Sequence, residues 1–248
     1  MADSILVKIL NLSKSFGTAK ILDNVSLDIN SGENLVVFGQ SGTGKSVLLK
    51  CIIGLLTPDN GQIFINDKEI HSLSVSELNE VRKKIGFLFQ SAALYDSMTV
   101  RENLAFPLKK IFSLTQKECD IKAEETLELV SLAHAIDKMP SELSGGMRKR
   151  VGLARSIITD PELMLYDEPT TGLDPITTKE ISKLILDLQT KLKMTSIIVT
   201  HDLICAKIIA DRAIFLRNGK IAHQGSIEEL TDSKEQFLQN FFSLEALK

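Results

Sequence analysis

Three cysteines are all that the 248 residues contain, Cys51, Cys119 and Cys205, and they are far apart, odd in number and in no ligand spacing. That count excludes a disulfide scaffold and a zinc cluster, and it predicts reduced thiols serving as small core residues. Long apolar runs are missing as well. Asp3 and Lys8 interrupt the N-terminus and the later runs are strand-length, so neither a signal peptide nor a membrane span is expected. Nor is there a basic excess: 29 Lys and Arg stand against 32 Asp and Glu, a formal net charge of −3, with an isoelectric point near 5.9. Duplex binding rests on a basic surface, so this balance argues against nucleic acid as the main partner. No internal repeat, low-complexity tract or long heptad insertion occurs, which sets aside solenoids and coiled-coil arms. What remains, with 44% hydrophobic and 25% charged residues, is sized for one large α/β domain or a core carrying an inserted subdomain.

Against that background one stretch stands out, Gly39 to Ser46, reading GQSGTGKS. It follows the apolar run Asn34–Phe38 and precedes the Gly-poor run from Val47 to Leu56, so it is placed where a strand turns into a helix. Glycines at this spacing let the backbone approach closely, and the successive amides of Gln40, Ser41, Gly42, Thr43 and Gly44 can point at phosphate oxygens with the positive end of a helix behind them. Lys45 is predicted to reach the β- and γ-phosphates, and the Ser46 hydroxyl to ligate Mg²⁺.

The flanking pattern is consistent with a nucleotide-binding core. Residues 5–10 and 20–29 are β-rich and alternate, predicting an antiparallel sheet with one buried face. Phe16, in SKSFG between them, is placed either to stack on a purine or to extend the core. A turn at residues 57–61 precedes the strand QIFIN and a tight turn at Asp67-Lys68. Residues 76–84 read as a short amphipathic helix opened by Ser76, and IGFLFQ as a buried strand ending at Gln90. From Val100 to Ile158 the strand rhythm gives way to helical periodicity, which predicts a helical subdomain inserted in the core. Within it Ser144 caps a helix whose first residues are Gly145 and Gly146, a second helix start suited to an anion. Arg148, Lys149 and Arg150 follow and are expected on a solvated face, the alternative being that they add positive field at a phosphate. The core resumes with Leu163–Tyr166, leading to Asp167 and Glu168. Two acids at the exit of a buried strand suit a cation and an activated water. Asp174 precedes a proline and a helix from about Ile176, and His201 leaves the apolar strand Ser196–Thr200 at an edge where parallel-sheet sites gather. Asn218-Gly219 marks a hairpin. In the tail, Phe237, Leu238, Phe241, Phe242, Leu244 and Leu247 fall largely on one helical side, fit to pack on the domain itself or on a partner.

Taken in order, the phosphate loop, Gln90, LSGGM (143–147), LMLYDEP (163–169), GLD (172–174) and His201 resemble the ATP-binding cassette (ABC) ATPases over nearly the whole chain. The resemblance implies an α/β P-loop NTPase core, a mixed sheet with an antiparallel β subdomain, plus an inserted α-helical subdomain. It divides a single domain of residues 1–248 into a RecA-like core (about 1–99 and 159–225), a helical signature subdomain (about 100–158) and a C-terminal helical tail (about 226–248). It implies ATP and Mg²⁺ as cofactors, with Gly39 to Val47 on the phosphates and Ser46, Gln90 and Asp167 at the metal. Glu168 becomes general base or water positioner, and Gln90, His201 and Lys45 act at the γ-phosphate. Phe16 stands where the family stacks an aromatic, usually Tyr, on the base. Ser144, Gly145 and Gly146 would bind the γ-phosphate held by a second copy, with Asp174 at the seam. Met147 departs from the family's common Gln.

Longer strings are closer still to one branch. GFLFQSAALYDSMTVRENLAFPL (86–108), MPSELSGGMRKRVGLARSI (139–157) and DEPTTGLDPIT (167–177) resemble the ATPase of Mla-type lipid transporters, where LSGGM is usual. That resemblance implies a homodimer on the cytoplasmic side of the inner membrane, docked peripherally on an integral-membrane permease. Its partners would include an Mce-type lipid-binding protein and a small regulatory subunit, and its work would be phospholipid movement. The alternatives are an ABC importer ATPase for another solute and a soluble ABC ATPase of DNA repair or translation.

Overall fold

The computed structural model describes residues 4–246, with side chains described up to Ser243. Strands β1 (Ile5–Phe16) and β2 (Ala19–Asn30) run longer than the sequence pattern suggests, and Phe16 ends a strand instead of sitting in a loop. Their cross-strand pairing continues, through four register shifts, as far as Phe16 opposite Ala19, so pairing itself carries the strands into the polar stretch. β3 (Asn34–Phe38) is buried along its whole length and leads through the glycine-rich loop into α1 (Lys45–Ile52). β4 (Asn60–Ile65) and β5 (Lys68–Glu69) are joined at Asn66-Asp67, one residue earlier than expected. Both residues hold left-handed φ, 48° and 61°, as a two-residue hairpin turn demands and as Asn and Asp tolerate.

Helix α2 (Val75–Arg82) opens at Ser74, not Ser76. Ser74 can form a reciprocal box, its hydroxyl accepting from the Glu77 amide while the Glu77 carboxylate accepts from the Ser74 amide at 2.9 Å; Ser76 is already inside the first turn. After β6 (Ile85–Leu88) come α3 (Val100–Phe112), α4 (Gln116–Leu129) and α5 (Gly145–Ile157), with no strand among them. The chain then alternates β7 (Leu163–Asp167), α6 (Pro175–Leu192), β8 (Thr195–Val199), α7 (Leu203–Ile209) and β9 (Arg212–Arg217). β10 (Lys220–Gly225), α8 (Ile227–Thr231) and α9 (Gln236–Ala246) complete it. Asn218 and Gly219, at φ 49° and 75°, turn β9 into β10.

Two sheets result. One is antiparallel, in the order β2-β1-β4-β5; the other runs β10-β9-β3-β8-β7-β6, parallel except for β10. This is the mixed sheet, antiparallel sheet and helical subdomain that the sequence led us to expect. Each face of the six-stranded sheet is covered, as parallel strands require. Leu35, Val37, Leu165 and Ile197 meet Ile9, Leu27 and Leu48 on one side. Val36, Phe38, Tyr166 and Ile198 meet the α3–α7 helices and α9 on the other. Among the tail residues, Phe241 and Phe242 lie edge-on to Phe38 and Phe215, at centroid distances of 5.0 to 6.5 Å. The Leu244 side chain and Leu247 lie outside the described residues.

Candidate nucleotide-binding site

The phosphate loop leaves the middle of the parallel sheet, since β3 is flanked by β9 and β8. Two of its glycines are dictated by space as well as by conformation. A Cβ on Gly39 (φ 154°) would stand 2.5 Å from the Leu216 carbonyl oxygen, and one on Gly44 (φ 100°) 2.9 Å from that of Ile21. The loop curls around Lys45, whose Nζ donates to the carbonyls of Gly39 at 2.7 Å and Gln40 at 3.1 Å. Burial lowers the Lys45 pKa, and the nearby Glu168 and Asp167 charges oppose that shift. The Thr43 hydroxyl donates to the Gln40 carbonyl at 2.8 Å and braces the loop from within.

Beside the loop, Ser46 Oγ donates to Asp167 Oδ1 at 2.9 Å. Burial raises the Asp167 pKa, against the lowering effect of that hydrogen bond. A hydroxyl and a carboxylate so placed are hard oxygen donors of the kind Mg²⁺ takes when phosphates and water complete its shell, so these residues fit the ion. Glu168 follows at φ 52°, with its amide bonded to the Val199 carbonyl at 2.9 Å. Its carboxylate accepts from His201 Nδ1 at 2.9 Å and from the Thr171 hydroxyl at 3.1 Å. Burial alone would push the Glu168 carboxyl up; the His201 hydrogen bond and charge, with Lys45 and Thr171, outweigh it and hold the pKa below the usual glutamate value.

These groups share one cavity of about 730 Å³, lined by the loop, Phe16, Val47, Gln90, Asp167, Glu168 and His201. Phe16 is half exposed there, with Lys14 Nζ 5.5 Å from its ring centroid. Ser144, Gly145, Gly146 and Asp174 are not in this cavity; they line a separate hollow with Thr177 and Arg150. Ser144 caps α5 by accepting from the Met147 amide at 3.2 Å. Asp174 caps α6, its Oδ1 accepting from the Ile176 and Thr177 amides at 3.0 Å each. The Thr177 hydroxyl and amide hold the Asp174 pKa low.

Three features escaped the sequence reading. Asn240 and Phe241 of α9 also line the cavity, a placement that depends on how the tail folds back. Arg148 and Arg150 are joined to the Leu143 and Val130 carbonyls at 3.2 and 3.3 Å. Lys149, expected in solvent, is buried at 8% exposure and donates to the carbonyl of Gln90 at 2.5 Å. Gly152, one turn on and on the same face, gave the available signal: a Cβ there would stand 2.7 Å from that of Ala92, so this face meets the segment after Gln90 at close quarters.

A phosphate loop on the central strand, an acidic pair on a strand two places away and a helical insertion between β6 and β7 define a P-loop ATPase of the cassette type. The chain belongs to the ABC transporter family: the family model described as "ABC transporter" matches residues 22–171. It is an ATP-hydrolysing subunit of an ABC transporter. Over 243 residues it is 41% identical to the probable ribonucleotide transport ATP-binding protein mkl of Mycobacterium leprae, covering 98% of this chain and 70% of that one. It is 41% identical over 222 residues to the methionine import ATP-binding protein MetN of Rhizobium johnstonii, covering 90% and 61%. The ATP-binding cassette MJ0796, solved as a dimer in a post-hydrolysis state with ADP and Pi, superposes with a TM-score of 0.81 at 33% identity, over 89% of this chain and 98% of that one. No helix among the described residues is long and apolar enough to cross a membrane.

Proposed function

We propose that two copies of this chain close around two ATP molecules and drive a membrane permease that moves phospholipid. The observation that carries the dimer is the separation of the two hollows. Within one chain the Ser144–Gly146 helix start is outside the Lys45 cavity, so the signature can reach a γ-phosphate only if a second copy supplies that phosphate. The dimeric state of MJ0796 supports this reading.

In the closed pair, the loop amides from Gly39 to Val47 and Lys45 hold the phosphates, and Phe16 stacks on the base. Ser46, Asp167 and Gln90 would hold Mg²⁺, which would supply charge neutralisation on the transferring phosphoryl group. Glu168 accepts or orients the proton of the attacking water, and His201, bonded to Glu168, faces the γ-phosphate. Ser144, Gly145 and Gly146 of the second copy complete the cage of donors, with Asp174 holding α6 at the seam. Positioning and electrostatics supply most of phosphoryl-transfer catalysis, and the closed pair provides both. Glu168→Gln is expected to bind ATP and accumulate as a dimer on size exclusion while turnover falls by about 10²-fold or more; normal turnover in that variant refutes the role.

Phospholipid as cargo is supported by the long strings around Gln90 and LSGGM and by Met147, whose side chain packs against the helical core. Phe89 and Tyr95, exposed beside Gln90, offer the permease an aromatic foothold from the cytoplasmic side. An Mce-type lipid-binding protein and a small regulatory subunit belong to the same proposal. The likeness to MetN favours a second reading, an importer ATPase for another solute. Isolating the chain from solubilised membranes and identifying its integral-membrane partner and bound lipid by mass spectrometry decides between them: co-purifying phospholipid and a lipid-binding partner support the first, and a solute-binding partner without lipid supports the second.

A further inference from the structure

A cation buried between two loops of a hydrolysis site, with its amine aimed at their backbone, is not explained by binding nucleotide. Lys149 is such a group. It belongs to α5, the helix that Ser144 opens, yet its amine ends between the loops that follow β6 and β7. Its Nζ donates to the carbonyl of Gln90 at 2.5 Å and lies 3.4 Å from the carbonyl of Glu168. Lys149 does not line the cavity that holds Lys45.

The two loops it joins both have unusual backbone. Glu168 is a non-glycine residue at φ 52°, and two residues beyond Gln90 the chain passes through Ala92 and Ala93 at φ 61° and 48°. Left-handed conformations of this kind persist only where the surroundings over-determine them. For Glu168 the amide is fixed by Val199 and the carboxylate by His201 and Thr171, while its carbonyl accepts from the Thr171 amide at 3.3 Å and from Lys149 at 3.4 Å. The Gln90 loop is held by the same helix at a second point, since Arg155 donates to the Ala92 carbonyl at 3.0 Å. An ammonium carries three donors on a compact point charge, so it can serve the carbonyls of two different loops at once. Charge-assisted bonds of this kind are stronger than neutral ones.

We infer that Lys149 is a positioning residue of the hydrolysis site, a cationic tie that fixes Gln90 and Glu168 relative to one another and to the Ser144 helix. Through it α5 sets the separation of the metal-side amide and the water-side carboxylate within one copy, while its own first turn faces the second copy. The inference rests on the roles proposed above for Gln90, Glu168 and Ser144.

The test is a comparison of the full chain with Lys149→Met and Lys149→Arg, reading kcat and KM for ATP, equilibrium binding of a fluorescent ATP analogue, and Tm. Lys149→Met keeps the apolar stem and deletes the donors. It is expected to lose about tenfold or more in kcat, because small displacements of reacting groups are costly, with KM and analogue binding within about twofold of the parent. Lys149→Arg, which keeps a cation with several donors, is expected to regain most of the lost kcat. Turnover of Lys149→Met within about twofold of the parent overturns the inference. So does a loss of kcat that travels with weaker analogue binding and lower Tm and that Lys149→Arg leaves unrestored. Should Lys149→Met fail to fold, Lys149→Gln, a neutral donor of shorter reach, decides by the same comparison. Parent turnover abolished in Glu168→Gln reports on the site as a whole, whereas the ratio between Lys149 variants reports on the tie alone, so the two can fail separately.

Discussion

At the scale of single residues, burial decides more than residue type. Lys45 and Lys149 are both buried amines whose pKa values are lowered by desolvation, and each is tolerated because backbone carbonyls accept its hydrogen bonds. The buried thiols show the same effect with the opposite sign. Burial raises Cys51 to about 11 and Cys205 to about 12. Each thiol is protonated in the folded chain and ionises in the unfolded chain from about pH 8.5. Its contribution is therefore whole below that pH and is lost as pH rises toward the folded value, by at most about 1.4 kcal/mol per pH unit for each thiol. A Cys51→Ala/Cys205→Ala chain is expected to lose less unfolding free energy than the parent between pH 9 and pH 11, by urea titration; parallel losses in the two chains would refute this. The phosphate loop was legible in the sequence because all its parts lie within eight consecutive residues. The burial of Lys149 was not, since it depends on which face of α5 meets the loop after β6, 59 residues away in sequence.

At the scale of elements, boundaries followed local chemistry where the chemistry was strong. The Asn218-Gly219 hairpin, the Ser144 cap and the strand before Asp167 were read directly, whereas Ser74 displaced Ser76 because the capping box needs a glutamate three residues on, which Glu77 supplies only to Ser74. The tail could not be settled by periodicity, because an amphipathic helix fits its own domain as well as a partner. In the structure α9 sets Phe241 and Phe242 against Phe38, the last residue before the phosphate loop, and against Phe215. Phe242→Ala is therefore expected to lower stability by about 3–5 kcal/mol, as large-to-small changes in aromatic cores do. The measurement is the urea midpoint of the purified chain, and a change under about 1 kcal/mol would mean that α9 does not pack there in solution.

At the scale of the whole molecule, fold class and chain order came through because a six-part pattern spans nearly the full length. The separation of the two hollows was implied by the family resemblance alone, since the order of residues along one chain is by itself silent on which copy they serve. The sheet adds one more consequence. β3, which leads into the phosphate loop, is laddered on both sides, but β6, which leads to Gln90, is a border strand and pairs with β7 alone. Amides of a strand laddered on both sides exchange only when larger units open, and those of a border strand need less. Deuterium uptake is therefore expected earlier across residues 85–90 than across 34–38, and a reversed order would count against it. The molecule thus roots its phosphate loop in an interior strand and hangs Gln90 just beyond a border strand, so two parts of one cavity rest on supports that open with different ease.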